Sequence, residues 1–159
     1  VVGGLAHAHS LGCSTIGFAC TPEPELAGVS DEVIVVQVGP EIIAGSTRLK
    51  AGTATKMVLN MLTTGTMVRL GKTYGNLMVD LRATNSKLMI RSRRLVARLA
   101  EVSEEEAERL LGACDGELKT AVVSRVRGVS PDEARRLLAA ASGQLRQALH
   151  AEQGDARAH

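Results

Sequence analysis

The sequence predicts an α/β domain followed by a small all-α bundle, and three observations carry that prediction. Residues 14–20 and 31–38 are short apolar runs, the second rich in β-branched residues, of the length a buried strand needs. Residues 47–70 form the longest run with apolar residues at helical spacing. The last third of the chain repeats itself at an offset of 27 residues, Ser103 to Ser130, each copy opening with a helix-start signature. The organisation expected is therefore a sheet domain with its long helices over residues 1–100, a helical bundle over 101–151, and a polar tail over 152–159 that frays.

Taken in order, residues 1–11 are Gly/Ala-rich with apolar residues at helical spacing, and Gly12 is placed to end the run, so this is the tail of a helix. His7 and His9 are two apart, point in different directions on a helix, and do not make the i, i+4 metal pair. The first strand follows, then a turn at Thr21-Pro22-Glu23-Pro24 and a short helical piece over 25–29. The second strand completes a helix–strand–helix–strand pattern, which in a sheet covered by helices implies parallel strands. Gly39-Pro40 stops it. The helix over 47–70 carries Leu49, Met57, Leu59, Met61 and Val68 among others around most of its circumference, which predicts burial against a sheet or a partner subunit.

Gly71 to Asn76 breaks that helix, and residues 77–81 fit either a strand or the start of another helix, because short apolar runs do not reveal their period. Thr84 or Asn85 caps a helix over 86–99. On it Arg91, Arg94 and Arg98 make one basic stripe, with Leu88, Leu95 and Leu99 on another face. Such a stripe reads either as a solvated face or as a surface for an acidic partner or a nucleic acid. Asn76, Asp80, Arg82, Thr84 and Asn85 fall within ten residues and read either as satisfiers of loop backbone or as substrate-side groups.

The stretch from Gly39 to Lys56, GPEIIAGSTRLKAGTATK, joins the second strand to the long helix through a loop suited to an anion. Its Ala44-Gly45-Ser46-Thr47-Arg48 segment opens the helix with small residues and hydroxyls, where free N–H groups and the positive end of the helix dipole meet negative charge. Arg48 and Lys50 add full charges beside those donors. The competing reading is that Ser46 or Thr47 only caps the helix and that both cations are solvated.

Composition narrows the function classes. The chain is 45% apolar and 23% charged, in the range of a globular protein, and its net charge of +2 is too small to imply nucleic acid. One Tyr, one Phe and no Trp leave almost nothing on which bases stack. Cys13, Cys20 and Cys114 are odd in number and form no CxxC pair, which indicates neither a disulfide framework nor a zinc site and fits a reducing cytoplasm. The longest uncharged run near the centre, residues 57–68, is too short to span a bilayer, and no targeting pattern opens the chain. No metal, cofactor, membrane or nucleic acid is expected. The first residue is Val, and the first helix has no preceding strand or cap, which suggests a fragment lacking its N-terminal part.

In the repeat, residues 103–111 correspond to residues 130–138, each copy starting with a Ser-x-x-Glu capping box, and Pro131 takes the first helical position of the second copy. Gly116 and Leu118 match Gly143 and Leu145, and Asp115 or Ser142 is placed to cap a second helix in each copy. Two helical hairpins of this size make a bundle, too few for a solenoid. The bundle holds no reactive constellation, so packing, oligomerisation or lid duty is expected of it.

The words GPEIIAGSTRLKAGTATK and KTYGNLMVDLRATN resemble signature segments of the N-acetylmuramic acid 6-phosphate etherases, relatives of the glucokinase regulatory proteins within the sugar isomerase (SIS) fold family. The resemblance implies a partial SIS-type parallel sheet flanked by helices, and likens the final bundle to the ubiquitin-associated-like (UBA-like) appendage of the etherases. It implies a lyase that cleaves the lactyl ether of N-acetylmuramic acid 6-phosphate, giving N-acetylglucosamine 6-phosphate and D-lactate in peptidoglycan recycling, and with the cysteine usage and the apolar 47–70 helix the expectation is a cytoplasmic homodimer. In that family acid/base glutamates eliminate lactate and water then adds to the unsaturated sugar, with no metal or nucleotide. The motifs bearing those glutamates have no counterpart in this sequence, so no catalytic residue is assigned here. The matching positions are Glu41, Ser46, Thr47, Arg48 and Lys50: the hydroxyls would donate to phosphate or sugar, the cations supply charge, and Glu41 accept from sugar hydroxyls. The alternative is a non-catalytic sugar-phosphate-binding regulator of a partner protein, and a third reading is a binding module centred on Arg91 to Arg98.

Overall fold

A computed structural model describes residues 1–150. It is an α/β chain in which the described residues form seven α-helices, one 3-10 turn and two small sheets. The chain divides into two compact units, and the division falls inside the long helix, between Thr63 and Thr64. The reason lies in the helix that follows: residues 86–99 pack on the helices after residue 100 and share their core.

In the first unit, α1 (Val2–Ser10) ends on Leu11, after which Gly12 turns the chain with φ +78°. Strand β1 (Ile16–Ala19) pairs in parallel with β2 (Glu32–Val35), register Gly17 to Val33 and Phe18 to Ile34, as the alternating pattern predicts. The 3-10 turn Glu25–Val29 between them tucks Leu26 into the interior. Gly17 is required there: a Cβ would collide with Leu26 Cδ1 and meet Ser30 Oγ at 2.8 Å. Asp31 ties the start of the two strands together, accepting from the Thr15 backbone N–H at 2.7 Å and its hydroxyl at 2.9 Å. These bonds hold the Asp31 carboxyl below its ordinary value, with the facing His9 adding to the effect.

Two expectations for this unit need correction. Strand β2 stops at Val35 rather than residue 38, and its residues are half-buried or exposed. The long helix α2 (Lys50–Arg69) buries only Val58 among its residues, while Met57, Leu59, Met61 and Val68 are each more than half exposed. A two-stranded sheet is about 10 Å wide and a 20-residue helix about 30 Å long, so the sheet cannot cover it.

The second unit is built on local signals. After α2, Gly71 turns with φ +68°, and β3 (Thr73–Tyr74) pairs antiparallel with β4 (Leu77–Met78) across a Gly75-Asn76 turn. Helix α3 (Ser86–Leu99) starts on Asn85, whose Oδ1 accepts from the Leu88 N–H at 2.9 Å. The repeat is visible in three dimensions: α4 (Glu104–Ala113) and α6 (Pro131–Ala140) begin and end 27 residues apart, as do the starts of α5 (Leu118–Arg127) and α7 (Leu145–His150). Ser103 and Ser130 each cap their helix by accepting from the third N–H at 3.2 Å. Ala107 and Ala134, Leu118 and Leu145, and Ala121 and Ala148 occupy equivalent positions in one core, each at most 1% exposed. Truncating either leucine to Ala is worth about 2–5 kcal/mol.

The second helix of each copy starts differently from the prediction. Asp115 and Ser142 do not cap; they sit at φ +53° and +51°, followed by Gly116 and Gly143 at +76° and +75°, and form the left-handed turn that ends the preceding helix. Glu117 is the first residue before α5. The copies have also diverged. Arg135 of α6 reaches Asp115 at 2.7 Å, Glu117 at 2.9 Å and Asp132 at 2.9 Å, whereas the equivalent residue of α4 is Glu108, which faces Arg93. The pairing with Arg135, and then the Thr120 hydroxyl, keeps the Glu117 carboxyl below its usual range. The polar tail expected over 152–159 lies outside the described residues.

Candidate functional site

The segment from Gly39 to Ala51 is folded by its own backbone. Gly39 and Gly45 take φ +66° and +79°, a region that L-residues with a Cβ rarely enter, and so permit two reversals within seven residues. Between them Ser46 N–H donates to Ile43 O at 3.0 Å and Thr47 N–H to Gly45 O at 3.0 Å. Leu49 N–H then donates to Ser46 O, and Gly52 N–H to Thr47 O at 2.8 Å, which starts the winding of α2.

Glu41 locks this loop onto the helix. Its Oε2 accepts from the Lys50 N–H at 2.9 Å and its Oε1 from the Ala51 N–H at 3.0 Å. A carboxylate from nine residues upstream thus takes the place of a neighbouring Ser or Thr cap, and α2 begins at Lys50 rather than Thr47. The hydrogen bonds from Ala51 and Lys50 hold the Glu41 carboxyl below its ordinary value. Two N–H groups of the first turn of α2 are therefore engaged by a residue of the chain itself rather than left for an outside anion.

The other four predicted residues remain available. Ser46 is half-buried, and Thr47, Arg48 and Lys50 are exposed. Their side chains make no hydrogen bond or ion pair with any described residue. The Lys50 ammonium lies over Gly39, 3.9 Å from where a Cβ would stand. The loop thus presents two hydroxyls and two cations without a direct side-chain partner beside one anchored carboxylate, whose pKa the Lys50 charge also lowers. Next to it, Ile42 and Ile43, 89% and 59% exposed, form an apolar lip with Leu49 and Met57 around a groove of about 590 Å³ that Lys50 also borders.

The second polar group singled out from the sequence has a different character. Asp80 accepts from Lys72 Nζ at 2.7 Å and pairs with Lys119 Nζ at 2.8 Å, and Lys119 also donates to the Gly143 carbonyl at 3.0 Å. Lys119 first, then Lys72, pull the Asp80 carboxyl below its usual range. Asn85 is the cap of α3 and Asn76 turns the β3–β4 hairpin. These contacts give Asp80 and Asn85 structural work. Sequence reasoning missed the Lys119 clamp because its partner is 39 residues away with no local signal. It missed the Glu41 cap because caps are sought next to a helix, not nine residues before it. Among the described residues no group of His, Cys, Asp and Glu is arranged to hold a metal ion, and no helix is long and apolar enough to cross a membrane.

Comparison with known proteins bears on both regions. Residues 75–114, from the hairpin turn to the end of α4, match the family described as the C-terminal lid domain of glucokinase regulatory protein. An N-acetylmuramic acid 6-phosphate etherase of Rhodopirellula baltica is 59% identical over 123 residues, 77% of this chain and 41% of that protein. Etherases of the same name from Streptomyces avermitilis and Streptomyces coelicolor are 54% and 56% identical over 122 residues, 77% of this chain and 39% of theirs. Over 77% of its length the chain is thus similar to the N-acetylmuramic acid 6-phosphate etherases, and it spans about two fifths of the length of the curated relatives it matches.

Proposed function

We propose that this chain is the sugar-phosphate-holding and lid-bearing part of an N-acetylmuramic acid 6-phosphate etherase. The observation that carries the reading is the 59% identity to a protein of that name, combined with a loop whose free hydroxyls and cations suit a phosphorylated sugar. In this reading Ser46 and Thr47 donate hydrogen bonds to the phosphate or sugar, and Arg48 and Lys50 neutralise its charge. Glu41 fixes the loop through two N–H groups, and the lone pairs left on its oxygens accept from a sugar hydroxyl. The acid/base groups that break the lactyl ether lie outside these residues. The same reading places the protein in the cytoplasm as a homodimer with an SIS-type sheet and a UBA-like bundle, acting without metal or cofactor. The exposed apolar length of α2 supports an assembly.

A regulator that binds a sugar phosphate and controls a partner protein is the second reading, favoured by the match of residues 75–114 to the lid of glucokinase regulatory protein. The experiment that separates them is D-lactate release from N-acetylmuramic acid 6-phosphate. The 159-residue chain alone is expected to release none. A chimera in which it replaces the matching two fifths of the Streptomyces coelicolor relative is expected to release lactate, and to lose that activity on Arg48→Ala with Lys50→Ala. Release by the chain alone, or a chimera indifferent to those substitutions, would overturn the assignment of roles.

A further inference from the structure

Away from the Glu41 loop, α3 and α4 enclose a cleft of about 470 Å³ within the second unit. Its wall is apolar, from Ala83, Met89, Ile90 and Leu111, and Met89 and Ile90 are 55% and 43% exposed. Gly112 and Gly116 line it too, and a Cβ added to either would meet nothing within 4 Å, so backbone rather than side chain forms part of the surface. Arg93 stands at the cleft with Glu108, their side chains 3.4 Å apart, and Arg93 also bonds Glu104 at 2.9 Å. Ser92 lines the cleft, is 2% exposed, and its hydroxyl finds no hydrogen-bond partner among the described residues.

A buried hydroxyl without a partner is unusual, since such groups are nearly always satisfied. The cleft volume is in the range of small-molecule sites, which are mostly apolar with a few placed polar groups. The charges at the cleft are already paired with one another, so an ion gains little there. We propose that the α3–α4 cleft binds a small neutral molecule with an apolar body and one hydrogen-bonding group, which the Ser92 hydroxyl engages after a rotation about χ1. Gly112 serves this site by leaving room that any side chain would fill. The inference is independent of the sugar-phosphate reading, because it uses none of the residues of that loop.

The test uses the 159-residue chain and two probes, benzyl alcohol and toluene, which share a ring and differ in the hydroxyl. Titration is followed by the methyl resonances of Met89, Ile90 and Leu111. Benzyl alcohol is expected to shift them and to bind about threefold to tenfold better than toluene once their different water solubilities are corrected, the worth of one neutral hydrogen bond. Ser92→Ala should remove that preference while toluene binding stays. Gly112→Met, which has open space and a better helix former in place of Gly, should abolish both with the helical circular dichroism unchanged. Absence of shifts at millimolar probe, a preference that survives Ser92→Ala, or binding that survives Gly112→Met in the folded protein would each overturn the proposal.

Discussion

Replacing Lys119 by Met tests whether the clamp on Asp80 holds the second unit together. The side chains of Lys119 and Asp80 are 16% and 31% exposed and approach to 2.8 Å, and Lys119 also serves the Gly143 carbonyl at 3.0 Å. A hydrogen bond to a charged group contributes about 1.5–3 kcal/mol, but Asp80 keeps Lys72 and is partly screened by solvent, so the expected loss is about 2 kcal/mol. Met retains the length and apolar stem, which isolates the charge from packing. With a urea dependence of about 2 kcal/mol per molar, the unfolding midpoint should fall by roughly 1 M. Asp80→Asn and the double variant complete a cycle whose coupling should be about 1 kcal/mol. The sign with pH follows from Asp80, whose folded pKa lies below the ordinary 3.8. Its stabilisation is complete above that ordinary value and is lost as pH falls through the lower folded value. Below about pH 4, therefore, the parent chain should lose more stability than Lys119→Met, and the two curves should converge. A loss under about 0.5 kcal/mol at pH 7, or parallel acid curves, would refute the clamp.

Three further outcomes follow from the same geometry. Gly71→Ala should destabilise by about 1–3 kcal/mol, because φ is +68° and the new Cβ would lie 3.1 Å from Gln144 Cα and 3.2 Å from the Gly143 carbonyl oxygen, whereas Gly75→Ala, at φ +59° in open space, should cost about 1 kcal/mol; urea unfolding of both compares them. Cys114 is fully buried and burial pushes its thiol up, so a thiol reagent at pH 8 should label exposed Cys13 first and reach Cys114 only as the second unit unfolds, which peptide mass mapping reads out. Glu41→Ala should fray the first turn of α2, seen as faster exchange of the Lys50 and Ala51 amides, with Glu41→Gln intermediate; unchanged exchange would remove the cap from the account.

What was legible in the sequence was local. The capping boxes at Ser103 and Ser130, Asn85 before α3 and the 27-residue repeat all rest on contacts within a few residues, and the helices begin where those signals stand. The parallel pairing of β1 with β2 followed from element order. What sequence reading placed wrongly depended on partners distant in the chain or on cover that periodicity cannot show. The start of α2 moved because Glu41 outcompetes Ser46 and Thr47 for its N–H groups, and the burial expected of α2 required a wider sheet than two strands provide. Asp115 was assigned a capping role by residue type, yet its φ of +53° puts it in the turn that closes α4. Of the candidate site, the glycine-punctuated loop between β2 and α2 was readable, while the anchoring of Glu41 on the Lys50 and Ala51 N–H groups was not.

The most direct measurement is a titration of the 159-residue chain with N-acetylglucosamine 6-phosphate, followed by backbone amide resonances. Shifts are expected to centre on Ser46, Thr47, Arg48 and Lys50 and to disappear when Arg48 and Lys50 are both changed to Ala. No shift at millimolar sugar phosphate, or shifts centred on α3 around Arg91 and Arg98 instead, would contradict that expectation.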